Sequence, residues 1–150
     1  MSVIKEMALL EPLVDVVPKD AVNSSLTRIL HLDLQTVGLE DCDFKTDFEL
    51  TINRTDYVHA LVVHFDVVFS HSHKPLVIST GCLDKYTHWK QTVFYLEDEL
   101  AVHRDDVLAG TIRVNRNARN PRDLDIFLGV VVKNETEKTP EETGKMYRLR

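Results

Sequence analysis

The chain has 150 residues, 43% of them hydrophobic and 28% charged, with a formal net charge of -6 and a pI near 5.6. This is the size and composition of one globular domain with room for a buried core, not of a disordered segment. An acidic balance argues against gripping nucleic acid through its phosphates and suits a basic partner better. The only cysteines are Cys42 and Cys82, without CxxC spacing, so a reducing compartment is expected rather than a disulfide framework. No apolar run reaches membrane-spanning length and the N-terminus lacks a secretory pattern, so no membrane role is expected. The Asn-x-Ser/Thr triplets at Asn23, Asn53 and Asn134 then carry no weight.

Residues 3–11 are good helix formers, with Val3, Ile4, Met7, Ala8 and Leu10 at helical spacing. Pro12 ends that segment, and Pro18 suits the start of a second short helical turn. From Leu26 the period changes to two. Leu30, Leu32 and Leu34 alternate with Ile29, His31 and Asp33, and Phe48, Leu50 and Ile52 repeat the pattern, so both stretches predict half-buried strands. Tyr57–Phe69 reads as one long strand, with His59, Leu61, Val63, Phe65, Val67 and Phe69 on one face. Further strands are predicted over Leu76–Ser79, from Gln91 to Leu96, and over Val107–Val114, Leu124–Val132 and Met146–Leu149. The turn formers of Asn115–Pro121 separate two of these, and the polar stretch Asn134–Gly144 reads as a mobile loop or hairpin tip. Short strands without intervening amphipathic helices predict a mainly β fold, an antiparallel barrel or sandwich with a short N-terminal helical segment. Residues 1–25 form a helical lead-in and residues 26–150 the β domain.

Several polar clusters invite chemistry and are better explained otherwise. Glu97-Asp98-Glu99 could be paired carboxylates, but consecutive strand positions point to opposite faces, so a solvated strand end is expected. His71 and His73 could share a metal, but no third ligand stands at a recognisable spacing, so no metal site is assigned. His59, on the apolar face, is expected to be a satisfied core histidine. Cys82 has no base beside it in sequence and is taken as a small loop residue.

The most informative run is Tyr86-Thr-His-Trp-Lys-Gln-Thr-Val-Phe-Tyr-Leu-Glu-Asp98. It places an imidazole and an indole on a loop that enters an apolar-alternating strand, where a rigid scaffold presents binding residues. The run resembles the substrate-side loop of the type I-like protein arginine methyltransferases. Ordered similarity extends over Glu11–Val17, Asn53–Val62, Gly110–Ile112, Asn117–Asp125 and Met146–Arg150. The resemblance implies the family's C-terminal antiparallel barrel, which packs against a methyl-donor domain. It implies that His88 supports catalysis by pairing with an acid of that other domain, that Trp89 lines the arginine pocket, and that Thr87 supports the loop. An indole beside a guanidinium makes a favourable cation–π contact. In the full enzyme, S-adenosylmethionine would methylate arginines in Arg/Gly-rich proteins and histone tails, in the cytoplasm or nucleus.

The chain departs from the family in ways that carry expectations. It has five glycines and no GxGxG, and no strand-turn-helix precedes a ribose-binding acid. Alone, it is expected to bind no S-adenosylmethionine, to lack the guanidinium-clamping glutamates and to be inactive. It begins where the family's dimerisation arm ends and lacks the barrel strand before that arm, so self-association or a homologous methyltransferase partner is expected. A non-catalytic interaction module is the competing reading. The turn Arg104-Asp105-Asp106 holds no glycine where relatives often have one, and the 134–144 loop is unlike the family's.

Overall fold

The computed structural model describes residues 3–133 and 137–150. Helix α1 (Val3–Leu10) leads into β1 (Leu13–Asp15), and short 3-10 turns follow at Lys19–Ala21 and Leu39–Cys42. The remaining elements are β2 (Phe44–Thr51), β3 (Asp56–Val63), β4 (Asp66–Phe69), β5 (Leu76–Ser79), β6 (Gln91–Val102), β7 (Val107–Arg116), β8 (Leu124–Val132), α2 (Pro140–Thr143) and β9 (Lys145–Leu149). Three antiparallel sheets result, in the orders β1-β6-β3, β2-β7-β8-β9 and β4-β5. The mainly antiparallel β expectation holds.

Alternation explains the larger sheet. Phe44, Thr46, Phe48 and Leu50 of β2 turn inward while Lys45, Asp47, Glu49 and Thr51 face water. Leu108, Ile112 and Val114 of β7 meet Ile126, Leu128, Val130 and Val132 of β8 in one core with Leu61, Phe94 and Tyr147. The outer face of β8 is also buried toward its end, at Gly129 and Val131. There α2 lies so close that a Cβ on Gly129 would run into the Pro140 carbonyl. The expected 134–144 loop is therefore in part an ordered helical turn, closed by Thr139 and Glu142, whose carboxylate accepts the Thr139 amide at 2.7 Å. The start of that loop and the Asn134 triplet lie outside the described residues, as do the side chains of Ile4 and Ala8.

Five expectations need correction. The leucines of 26–34 make no strand: Asp33 accepts the Gln35 amide through its side chain and the Thr36 and Val37 amides through its carbonyl, turning the chain away. Tyr57–Phe69 is not one strand but two, in different sheets, broken at His64 and Phe65. At His59 the pairing is irregular, the single residue of β3 standing opposite residues 96–99 of β6, and on either side of it Val58, Leu61 and Val63 pack toward the core. His59 is thereby turned out to water, and it sits 3.3 Å from Glu99. It is not a core histidine. The acidic triplet Glu97–Glu99 is exposed as expected, but in the middle of β6, where the ladder with β3 is interrupted. The lead-in also carries more than helix, since Leu13–Asp15 add β1 to the edge of β6.

Candidate functional site

The loop from Thr80 to Lys90 joins β5 to β6 and carries the three residues singled out above. Thr87, His88 and Trp89 form a tight turn closed by the Lys90 amide donating to the Thr87 carbonyl at 3.1 Å. Lys90 takes the left-handed conformation, with φ of 56°, a strained state for a non-glycine residue directly beside the indole. The Thr87 hydroxyl is buried and without a hydrogen-bond partner, so the carbonyl, not the hydroxyl, holds the turn.

His88 and Trp89 stack with ring centroids 4.1 Å apart. Phe65, from the break between β3 and β4, meets the indole edge-to-face at 6.0 Å. Trp89 is 49% and Phe65 48% exposed, so three aromatic rings form an open wall at the end of the sheet. The two grooves found elsewhere, of about 490 and 410 Å³, lie on the outer face of β2 and β7 and beside the Asp33 turn, and neither reaches Trp89.

A buried polar chain stands behind the wall. The Thr80 hydroxyl accepts the Phe65 amide at 3.0 Å and donates to the Phe65 carbonyl at 2.8 Å. The Gln91 side chain donates to the Thr80 carbonyl at 2.7 Å and accepts the Val17 amide at 2.9 Å. Sequence reasoning missed Phe65, Thr80 and Gln91. A glutamine opening an apolar strand was the available signal. Cys82 sits partly buried in the same loop, and burial raises its thiol pKa, which makes it a poor nucleophile. His71 and His73 lie exposed in the β4–β5 turn, with His71 3.1 Å from the Ser70 hydroxyl. Among the described residues no three metal-ligating side chains come together.

The β4-β5 hairpin beside the wall exposes Val68, Phe69, Leu76 and Val77, an uncovered apolar surface for a two-stranded sheet.

Residues 1–135 match the model of the arginine methyltransferase oligomerization subdomain. The chain is 45% identical over all its 150 residues to protein arginine N-methyltransferase 1 of Chlamydomonas reinhardtii, covering 43% of that relative. It is 46% identical over 135 residues to the Caenorhabditis elegans protein of the same name, covering 90% of this chain and 39% of that one. The chain thus spans less than half the length of these relatives. Its fold superposes with a TM-score of 0.89 and 33% identity on a chain of the Trypanosoma brucei PRMT1 enzyme–prozyme heterotetrameric complex with AdoHcy, covering 97% of this chain and 46% of that one. An Arabidopsis thaliana protein arginine methyltransferase 10 structure matches with a TM-score of 0.84 at 18% identity, which supports the fold alone. Every strand pairing among the described residues is antiparallel, so among them there is no crevice at the carboxyl ends of parallel strands for a nucleoside-bearing methyl donor.

Proposed function

The chain belongs to the protein arginine methyltransferase family, and on that premise we propose that it is the substrate-side half of such an enzyme. The observation that carries this reading is the open wall of His88 and Trp89, on the loop whose sequence resembles the family's substrate-side loop, with Phe65 against the indole edge. A guanidinium placed on the exposed indole face gains cation–π attraction, and carboxylates from another domain would orient it there. Methyl transfer is a displacement needing donor and acceptor in line at near-contact distance, so one wall without a donor site cannot carry it out. In this reading another domain supplies S-adenosylmethionine and the clamping glutamates. His88 pairs with an acid of that domain, Trp89 lines the arginine pocket and Thr87 supports the turn. The substrates are arginines of Arg/Gly-rich proteins and histone tails, met in the cytoplasm or nucleus.

The test is to fuse the chain to the donor-binding half of a family member and assay methylation of an arginine peptide, beside calorimetric titration of the chain alone. The fusion is expected to methylate, and the chain alone to bind no S-adenosylmethionine. Saturable donor binding by the chain at micromolar affinity, about -8 kcal/mol, overturns the division of labour.

A second reading is a non-catalytic module that partners a homologous methyltransferase chain. It is favoured by the match to the oligomerization subdomain and by the solved relative, itself part of an enzyme–prozyme heterotetramer. The uncovered apolar residues of the β4-β5 hairpin suit such association. Light scattering over a concentration series separates the cases, since a strictly monomeric chain at high concentration counts against this second reading.

A further inference from the structure

We propose that Thr80 and Gln91 are positioning residues for the Trp89 indole, acting through Phe65 and through the two ends of the loop that bears it. The value of this for arginine binding rests on the substrate-side reading above, while the positioning itself does not.

Thr80 is 1% and Gln91 7% exposed, and they stand at the first residue of the loop and at the residue where it enters β6. Thr80 makes three hydrogen bonds to Phe65: its hydroxyl bonds both backbone groups, and its own amide donates to the Phe65 carbonyl at 3.0 Å. Those bonds are where the long β3–β4 run breaks, so they set where the Phe65 ring projects. Gln91 uses both ends of its amide. The NH2 donates to the Thr80 carbonyl, closing the loop's two ends on each other, and the oxygen accepts the Val17 amide, anchoring them to the segment after β1. A buried glutamine or threonine is costly unless its polar atoms are paired, and here they are paired in directions that fix one backbone path. The indole then has two constraints: the Phe65 ring at its edge and the turn that begins at Thr87. The Thr80–Gln91 pair governs the first directly and the second through the loop's closure.

Trp89 is the only tryptophan of the chain, so its fluorescence reads this position alone. The measurement is emission maximum and acrylamide quenching of the 150-residue chain, well below its melting temperature, for Thr80→Val, Thr80→Ser, Gln91→Met and Phe65→Leu. Thr80→Val and Gln91→Met are expected to shift emission to the red. They should also raise quenching by up to about twofold, the ratio of full exposure to the present 49%. Thr80→Ser keeps the hydroxyl and is expected to match the parent. Phe65→Leu leaves the polar chain in place and is expected to reproduce the red shift. A purely structural role lowers the melting temperature and leaves the indole signal unchanged, and that result in the folded variants overturns the proposal. If Thr80→Val does not fold, Gln91→Met and Phe65→Leu decide, and a parental indole signal in either overturns it. Methylation of an arginine peptide by the parent chain fused to a donor-binding half tests the substrate reading separately. No methylation there, with the variants behaving as expected, retires that reading and leaves the positioning in force.

Discussion

The Tyr147 hydroxyl donates a 2.7 Å hydrogen bond to the carbonyl of Tyr95, and so joins β9 of the four-stranded sheet to β6 of the three-stranded one. The same ring meets Phe94 edge-to-face at 5.2 Å, so Tyr147 bolts the two sheets together by a hydrogen bond and a ring contact. Burial, and then the Glu97 carboxylate, push its pKa up to about 12 from 10.0. A pKa raised in the fold means that the protonated hydroxyl is the favoured form there. Its contribution is therefore whole below pH 10 and is lost as the pH climbs through about 12. Tyr147→Phe is expected to cost about 0.5–1.5 kcal/mol near neutral pH, a fall in melting temperature of about 2–5 °C at this length. The gap between parent and variant should close between pH 10 and 12. Denaturant titrations across that range check it, and a gap that stays constant contradicts the assignment.

At the opposite end of the larger sheet, Asp43 clamps the start of β2 to the end of β7. Its carboxylate accepts Arg116 Nη2 at 2.7 Å and Nε at 3.2 Å, and it also accepts the Arg116 backbone amide at 2.7 Å. Those hydrogen bonds from Arg116 hold the Asp43 carboxyl below its ordinary 3.8. A lowered pKa makes its contribution present above the ordinary value and lost as the pH falls through the value in the fold. Asp43→Asn is expected to melt lower than the parent at neutral pH and to lose that difference as acid protonates Asp43. Parallel melting curves from neutral pH into that acid range are the check.

Gly129 is required by proximity rather than by backbone angle. Any Cβ there meets the Pro140 carbonyl and lies 3.0 Å from the Gly144 Cα, both backbone atoms of the α2 turn. Gly129→Ala is expected to push α2 off β8 at a cost of about 1–3 kcal/mol, and to weaken the 3.1 Å bond from the Thr143 hydroxyl to the Val130 carbonyl. Equilibrium unfolding in urea measures the cost. An unchanged midpoint would mean that α2 is not packed where β8 needs a glycine.

What could be read from the chain follows from how local its causes are. Residues 124–132 announce their own strand, because both faces are apolar and turn formers bound it, and β8 occupies that span. The turn at Arg104–Asp106 was legible too. Asp105 takes φ of 71°, the conformation glycine adopts at no cost. His59 could not be read in the same way. Its face depends on where β6 bulges opposite it, a register change made by the partner strand that the β3 segment does not encode. The leucines of 26–34 alternate like a strand but lack a ladder, because pairing is a property of the partner and not of the segment. The Thr-His-Trp turn was recognisable as a motif. Phe65, fifteen residues before Thr80, came to it through hydrogen bonds that no spacing encodes.

The sharpest functional expectation separates the two neighbouring rings. Trp89 is half exposed, held at its edge by Phe65, and offers an indole face to a cation. In a fusion with a donor-binding half, Trp89→Ala is expected to impair use of arginine peptides and to leave S-adenosylmethionine affinity nearly intact. The lost cation–π contact is worth about 0.5–2 kcal/mol, with a further loss of rate from a misplaced guanidinium. His88 is exposed and stacks on Trp89. His88→Ala should therefore leave the melting temperature of the 150-residue chain unchanged but lower that of the fusion, where the imidazole would gain its acidic partner. Steady-state kinetics, donor affinity and melting of both variants in both contexts give the answer. Wild-type activity in the Trp89→Ala fusion removes the indole from the arginine site. An equal loss of stability in both contexts for His88→Ala removes the pairing between domains.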